Sequence, residues 1–454
     1  MFFIKLIIIY IVLLLIPVYI STAATEGIHL GPAILKPAVS LDWTYNDNYQ
    51  SQEKNKESAY YLNVGPSMEL IFEKGENKFS IEVISPVRYF SEATEKKTRF
   101  QDTFYSTTME IRLPWRSYLK VYDSFTGTEF SPFLTETESN KNSDRLENHA
   151  RFTLGTNIGD IIKLEGNYRT DFYKFKDKEK NLIFTLDRNN HKVDNFRGLI
   201  VLNILSRDSL MLNYSYQTDK YENDPSRDNK SLQYDFGFFH RFKNILSLSG
   251  RLGLGNSIRE GLSEKLIPMS ESDTLSWGST VDIKITDKTS MNFSVSKSIT
   301  ETSLSKTAAQ ISETSEEFNS SKNRSLSFFF DLKSSITDRT DVTLSARRTS
   351  SNSSLKSGRD TIYNDIYINI DQKFFEKMVL NFNVSYKDNE FKEGANEQFV
   401  RRNNREKRWT AGGDISFKIF KHATTEISFN HQERNSTFGD YTKNIISLRM
   451  NISY

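Results

Sequence analysis

The sequence lacks cysteine altogether and holds only nine prolines among its 454 residues. The absence of cysteine excludes a disulfide framework, a thiolate metal site and a lipid-modified N-terminal cysteine. Lysine and arginine outnumber aspartate and glutamate by only two, and no basic stripe emerges, which argues against a nucleic-acid partner. Beyond residue 24, no apolar run approaches the roughly 20 residues that a membrane-spanning helix needs.

Aromatic residues are abundant in spite of this polarity. The chain has 33 phenylalanines and 21 tyrosines, although its hydrophobic content is only 37% and its mean hydropathy is -0.55. In a transmembrane β-barrel only every second strand residue faces lipid, so the average stays hydrophilic while the outer surface is rich in rings. The composition therefore fits a barrel better than a helical membrane protein.

The first 24 residues differ from the rest. Lys5 provides a short basic start, residues 6–20 are mainly apolar, and residues 21–24 are small. This order is typical of a secretory signal peptide. An uncleaved anchor helix is the alternative, but the run is short and Pro17 interrupts it. We predict a signal peptide over residues 1–24 and one domain over residues 25–454.

The C-terminal residues 444–454 alternate with a period of two, which predicts a strand with one apolar and one polar face. An open sheet edge in hydrocarbon leaves backbone groups unpaired, so we expect this strand to pair with the first, over residues 35–45. It also has the form of the signal that the barrel assembly machinery recognises. The predicted apolar face comprises Ile446, Leu448, Met450, Ile452 and Tyr454.

The same alternation recurs along residues 27–441, interrupted in turn by short turns and long polar loops. We count nine short and ten long connections, which predicts about 20 strands, with 18 as the alternative. An even count places both termini on the short-turn side, in the periplasm. The predicted fold is an all-β, transmembrane, antiparallel up-and-down β-barrel in the outer membrane of a Gram-negative bacterium.

One segment occurs twice. Residues 285–294 return in similar form as residues 336–345, an offset of 51 residues, which is the length of a hairpin with its loop. Both copies contain a Thr-Asp-charged-Thr turn. We expect the threonine oxygens to bond the backbone of the turn itself.

Charged residues of both signs occupy the polar face of the predicted strands. They can pair across neighbouring strands or form a permeation filter, and no ring of one sign predicts strong ion selectivity. Two aromatic residues on the same face, Tyr61 and Phe104, are candidates for sugar contact. The residues predicted to face the lumen are Glu69, Glu82, Arg88, Glu110, Arg112, Glu165, Arg169, Asp282, Lys284, Asp414 and Lys418.

A second aromatic group lies at or near strand ends. Tryptophan and tyrosine anchor a barrel where hydrocarbon meets headgroups, because the ring is buried while its polar atom stays wet. A sugar-stacking or ligand role is the alternative. The predicted girdle in contact with outer-membrane lipid comprises Trp43, Tyr45, Trp115, Trp277, Trp409 and Tyr454.

The sequence offers little for catalysis. Its six histidines are scattered, and no His-x-x-x-His, Gly-x-Ser-x-Gly or phosphate-loop pattern occurs around them. We predict no enzyme, no cofactor and no metal site, with a hydrolase assembled across strands as the alternative. The triplet Asn46-Asp47-Asn48 indicates a turn first and a calcium site second.

The first two predicted strands carry a family resemblance. Pro37, residues 39–48 and residues 62–66 resemble the opening of the putative beta-barrel porin 2 family, although members tend to have Pro-Gly where this chain has Gly65-Pro66. The resemblance implies an outer-membrane porin-like protein, sometimes accompanying extracellular polysaccharide production. It brings no catalytic residues with it.

The expected function is passive passage of a hydrophilic solute whose identity the sequence does not reveal. Barrels of roughly 16 to 18 strands leave an aqueous lumen, and the polar loop over residues 300–322 is long enough to constrict it. Two alternatives stay open: an outer-membrane component of extracellular polysaccharide export or assembly, and a non-conducting structural or adhesive barrel.

Overall fold

A computed structural model describes residues 27–49, 51–54, 56–90, 99–128, 143–177, 190–243, 245–259, 270–304, 320–353, 359–393, 403–437 and 439–453. Apart from a short 3-10 turn at Pro225–Arg227, the regular structure in these ranges consists of β-strands. The described residues contain no helix with the length and apolarity to cross a membrane.

The strands follow one another along the chain in a single sheet. They are β1 (Ile28–Leu30), β2 (Ala33–Asn46), β3 (Ala59–Lys74), β4 (Asn77–Ile84), β5 (Val87–Phe90), β6 (Arg99–Leu113), β7 (Ser117–Thr128), β8 (Ser143–Ile158), β9 (Ile162–Asp177), β10 (His191–Leu205), β11 (Asp208–Tyr221), β12 (Asn229–Phe242), β13 (Leu246–Arg259), β14 (Ser270–Thr286), β15 (Thr289–Leu304), β16 (Ser320–Thr337), β17 (Thr340–Ser353), β18 (Arg359–Phe374), β19 (Met378–Glu393), β20 (Asn403–Phe420), β21 (Ala423–Ser436) and β22 (Tyr441–Ser453).

The sheet is a closed meander with 20 strand positions. Neighbours in sequence pair antiparallel, and β22 returns to pair with β2. Strands β4 and β5 share one position between β3 and β6, while β1 pairs only with the first residues of β2. The prediction of an all-β, antiparallel up-and-down barrel of about 20 strands is therefore confirmed.

The interruption between β4 and β5 has a local cause. Pro86 has no backbone N–H and cannot continue a ladder on both sides. The Ser85 N–H still donates to the carbonyl oxygen of Pro66 at 3.1 Å, and the Pro86 carbonyl oxygen accepts from the Asp102 N–H at 3.0 Å. The chain therefore keeps its place in the sheet across the break.

The closing seam joins residues that are about 400 positions apart in the sequence. On one face Trp43 lies opposite Leu448, and on the other the Arg449 guanidinium lies 3.3 Å from the Asp42 carboxylate. The seam runs from Ala38 to Asn46, which agrees with the predicted partner strand. Tyr454 lies outside the described residues.

The connections alternate in length as predicted. Nine of two or three residues join β3–β4, β6–β7, β8–β9, β10–β11, β12–β13, β14–β15, β16–β17, β18–β19 and β20–β21. Gly75 and Gly159 take positive φ angles of 61° and 62° in two of these turns, a conformation that favours glycine. The strand ends that the ten long connections join lie at the opposite end of the sheet.

The duplicated segment forms two equivalent turns that touch. The hydroxyl oxygen of Thr286 accepts the Lys288 N–H at 3.1 Å, and that of Thr337 accepts the Arg339 N–H at 3.2 Å. These bonds confirm the predicted turn chemistry. Lys288 also hydrogen-bonds the carboxylate of Asp338 in the neighbouring turn, which lowers the pKa of Asp338 below its ordinary value.

The Asn46-Asp47-Asn48 triplet begins the first long connection. The Asn48 N–H donates to the side-chain oxygen of Asn46 at 3.0 Å, and the Asp47 carboxylate accepts from the backbone and amide nitrogens of Asn444 at 2.6 and 2.7 Å. These bonds confirm the turn interpretation. They also tie the connection to β22.

The pairing register divides the side chains into two faces. On β22, Leu448 and Met450 belong to an apolar face, whereas Ser447, Arg449 and Asn451 belong to a polar face. Cross-strand partners share a face, so the assignment extends around the barrel. Large apolar side chains such as Phe236 and Phe293 lie on the apolar face and are about half exposed.

Candidate site on the polar face of the barrel

The register places all eleven residues that were predicted to face the lumen on the polar face. They do not converge on one point but are spread from β3 to β20, as in a lining. The set is Glu69, Glu82, Arg88, Glu110, Arg112, Glu165, Arg169, Asp282, Lys284, Asp414 and Lys418.

Several of these charges have partners of opposite sign on an adjacent strand or turn. Arg88 lies 3.6 Å from Asp102, and Glu110 accepts from Lys120 at 3.1 Å. Lys284 lies 2.6 Å from Asp287 in the turn that follows its strand. Such half-exposed pairs contribute little stability each, so their main effect is to balance charge along the wall.

The polar face is uneven around the barrel. On β14 from Ser270 to Thr280, and on β15 from Ser290 to Thr302, it carries no charged side chain. On β8 and β9 it carries eight ionisable side chains, from Arg145 to Arg151 and from Lys163 to Asp171. Sequence reasoning listed individual charges and missed this division, although serine or threonine at alternate positions along β14 and β15 signalled it.

A cavity of about 750 Å³ opens on the charged side, over β7 to β11. Its size is within the range of small-molecule sites. We call it the arginine pocket, after Arg151, Arg169 and Arg197 in its lining. Its other charged lining residues are Lys120, Glu165 and Asp171.

Both carboxylates of the arginine pocket are already engaged. Asp171, only 4% exposed, receives Arg169 Nε at 2.9 Å and lies 2.7 Å from His149 Nδ1. Glu165 accepts from the Tyr118 hydroxyl at 2.7 Å and lies 3.0 Å from the Lys163 ammonium. Both carboxylates therefore already have hydrogen-bond or ion-pair partners among the residues of the barrel wall.

Arg151 and Arg197 differ from the other cations of the pocket. Lys120 pairs with Glu110, and Arg169 pairs with Asp171. Within the described part of the chain, neither Arg151 nor Arg197 has a carboxylate within 4.0 Å. Arg197 donates from Nε to the amide oxygen of Asn213 at 2.6 Å, which leaves the rest of its guanidinium available.

A row of rings borders the pocket towards the long connections. Tyr173 and His191 stack at 4.5 Å between centroids, and His191 and Tyr221 at 4.9 Å. The Arg227 guanidinium covers Tyr221 at 4.1 Å. Because neighbours cover one another's faces, the row presents edges rather than open faces for sugar stacking.

The two aromatic candidates for sugar contact also lie on the polar face. Arg88 approaches the Tyr61 ring at 5.9 Å, so one face of that ring is partly covered. Phe104 lies between Ile84 and Thr126 on adjacent strands. The structure does not bring the two rings together into one platform.

The predicted girdle residues occupy several levels. Trp43 and Tyr45 on β2 contact Tyr60 at 6.0 and 4.7 Å, on the apolar face near the long connection that follows β2. Trp409 contacts Tyr386 at 4.4 Å, on the apolar face and opposite the middle of β19. Trp115, 90% exposed, lies in a short turn at the other end. Trp277 is on the apolar face near the middle of β14, away from either end.

One glycine makes room for the ring beside Glu165. A Cβ atom on Gly155 would overlap the Tyr118 ring. We expect Gly155→Ala to lower stability by about 1–3 kcal/mol, because the displaced ring loses its bond to Glu165. Gly166→Ala on the next strand is the control, since a Cβ there meets nothing within 4 Å. Unfolding midpoints from heat-modifiable gel mobility would test this, and equal midpoints for both variants would contradict it.

The described residues contain no group of three or more metal-ligating side chains that could hold an ion. The His149, Asp171 and Arg169 contacts form a charge-balancing network within the wall. The geometry therefore identifies a polar lining on one face of the barrel wall and the arginine pocket within that lining.

The fold is that of a bacterial outer-membrane β-barrel. Among solved structures, the chain resembles the copper transporter OprC (TM-score 0.56, 8% identity, 94% of this chain and 81% of that one). It also resembles the siderophore receptor PirA from Acinetobacter baumannii (0.54, 10%, 92% and 80%) and the outer membrane protein OpdK from Pseudomonas aeruginosa (0.43, 8%, 92% and 99%). At these identities the likeness concerns the fold alone.

Residues 330–454 match the family described as Putative beta-barrel porin 2. The matched segment comprises the end of β16 and all of β17 to β22, including the closing strand. The family resemblance noted on the first two strands is thus confirmed from the opposite end of the chain. None of the curated proteins compared with this chain matches it significantly.

Proposed function

We propose that the protein is a porin-like channel for passive passage of hydrophilic solutes, without enzymatic activity. The observation that carries this proposal is a closed barrel of 20 strand positions whose strands each present a polar face on the same side of the sheet. In an outer membrane the apolar face meets lipid, so the polar face encloses the lumen. Barrels of roughly 16 to 18 strands already hold an aqueous channel.

In this proposal both termini are periplasmic. The first residues of β2 and the last residues of β22 lie at the short-turn end, and β1 continues the line of β22 along the edge of β2. Outer-membrane barrels keep their short turns in the periplasm. Trp43 and Tyr45 would then anchor the barrel in the outer leaflet, and Trp115 in the inner one.

Conductance in a planar bilayer tests the proposal. We expect stable current steps from the purified, folded protein, because a water-filled lumen passes ions. Deletion of residues 305–319 should change the step size if that loop narrows the pore; those residues lie outside the described part of the chain. A barrel that shows heat-modifiable mobility but conducts no current would contradict a channel.

A role in polysaccharide export stays a prediction from the family resemblance. The covered faces of the Tyr173, His191 and Tyr221 rings do not add support for sugar stacking at that level. A deletion strain with unchanged surface polysaccharide would count against the export role and leave the channel untouched.

A further inference from the structure

We propose that the arginine pocket binds the carboxylate of a hydroxylated anionic solute on its way through the channel. This inference rests on the proposed function and assigns it a substrate class. Three features carry the inference: an unbridged pair of opposed arginines, a bridged pair elsewhere in the same barrel, and the polar groups around the cavity.

Arg151 on β8 lies directly opposite Arg169 on β9. Like charges in this cross-strand position repel each other and destabilise the sheet. Asp171 relieves Arg169 only in part, because it also contacts His149. Arg197, on β10, faces the same cavity and adds a third guanidinium. The pocket therefore has an excess of positive charge that its own described residues do not neutralise.

The same barrel shows how such a pair is balanced. Arg408 on β20 lies directly opposite Arg434 on β21. The Glu406 carboxylate joins them, with one oxygen 2.9 Å from Arg408 and the other 3.1 Å from Arg434. No described carboxylate bridges Arg151 and Arg169 in this way. A carboxylate carried by a solute would complete the arrangement.

The chemistry of the cavity favours a carboxylate on a polar body. Guanidinium groups are planar and bind carboxylates with two parallel hydrogen bonds. Around them the cavity is lined by the amides of Asn167, Asn195 and Gln217. Each amide already donates a hydrogen bond within the wall, to Thr153, Gln217 and Asp219 respectively, and its remaining N–H and acceptor positions can bond hydroxyl groups. A hexuronate, which has one carboxylate and several hydroxyls, fits this set of partners and a cavity of about 750 Å³.

Binding in this position must be weak. A solute passes through a channel only if its site releases it readily. The arginine pocket meets this requirement because it is open to the lumen and Asp171 already balances part of its positive charge. We therefore expect galacturonate to interrupt the current at millimolar rather than micromolar concentration.

The test measures block of the single-channel current in a planar bilayer by galacturonate, with galactose as the neutral control. We expect block by galacturonate only, and about tenfold weaker block in Arg151→Gln/Arg197→Gln, because charge-assisted hydrogen bonds are lost. Arg151→Lys keeps the charge but not the planar fork, so its block should be intermediate. Arg434→Gln, at the bridged pair, should leave block unchanged. Heat-modifiable mobility verifies that each variant is folded.

The outcomes separate this inference from the channel itself. A folded barrel without conductance overturns the proposed function. A conducting barrel that galacturonate and galactose affect alike, or whose block survives Arg151→Gln/Arg197→Gln, overturns only the pocket assignment. Equal block by inorganic phosphate would show a site for oxyanions in general and would overturn the assignment to carboxylates.

Discussion

Insertion of one residue after Leu448 should prevent assembly of the barrel rather than alter its transport. Side chains alternate along a strand, so the insertion moves every later residue to the opposite face. The Arg449 guanidinium now lies 3.3 Å from the Asp42 carboxylate. After the insertion Arg449 would lose this contact and enter the apolar face. A cation there costs about 2–4 kcal/mol at mid-membrane depth. The insertion disrupts the pairing between β22 and β2, and loss of these backbone hydrogen bonds would open the barrel.

Membrane fractionation with heat-modifiable gel mobility would measure the effect. We expect assembled protein to fall by at least about tenfold, since the shift combines a misplaced charge with an open edge in hydrocarbon. A one-residue insertion within residues 394–402, a long connection, is the control and should assemble normally. Deletion of Tyr454 should lower assembly to a smaller extent if the assembly machinery reads this strand. Normal assembly of the Leu448 insertion would contradict the role of β22 as the closing strand.

Asp171→Asn should destabilise the barrel by about 2–3 kcal/mol, the scale of a charged hydrogen bond lost from a buried group. Asp171 is 4% exposed and joins Arg169 to His149. Without its charge, the Arg169 guanidinium faces Arg151 with no compensation. The loss should exceed that of an exposed ion pair and fall short of one in a dry core, because the site opens to the lumen.

Equilibrium unfolding in denaturant, followed in detergent micelles or vesicles, would measure this loss. The matched control is Glu73→Gln, which removes a carboxylate that lies 3.4 Å from Lys78 with both side chains about half exposed. Its effect should stay below about 1 kcal/mol. Adding Arg169→Gln to Asp171→Asn should recover part of the stability, because it removes the uncompensated charge. Equal losses for the two carboxylate variants would show that burial of Asp171 is irrelevant.

Some local details escaped the sequence pattern. Phe79, Ile81, Val83, Val87 and Tyr89 alternate as in a single strand, whereas the structure has β4 and β5 separated at Ser85-Pro86. The pattern does not distinguish a continuous strand from an interrupted one, because the apolar residues before and after the break lie on the same face. The short pairing of β1 with β2 was also missed, since three residues are too few for a period to emerge.

The sequence by itself determined the strand count, the alternation of short and long connections, and the face on which each side chain lies. These properties are local: a strand's side chains alternate by backbone geometry, and turns are marked by their own residues. Only the tertiary structure decided which charges meet. Arg151 and Arg169 are opposed because of the register across β8 and β9, and Asp42 reaches Arg449 because the barrel closes. Register and closure depend on all the strands at once, so a period of two could predict a polar lining but not the pocket within it.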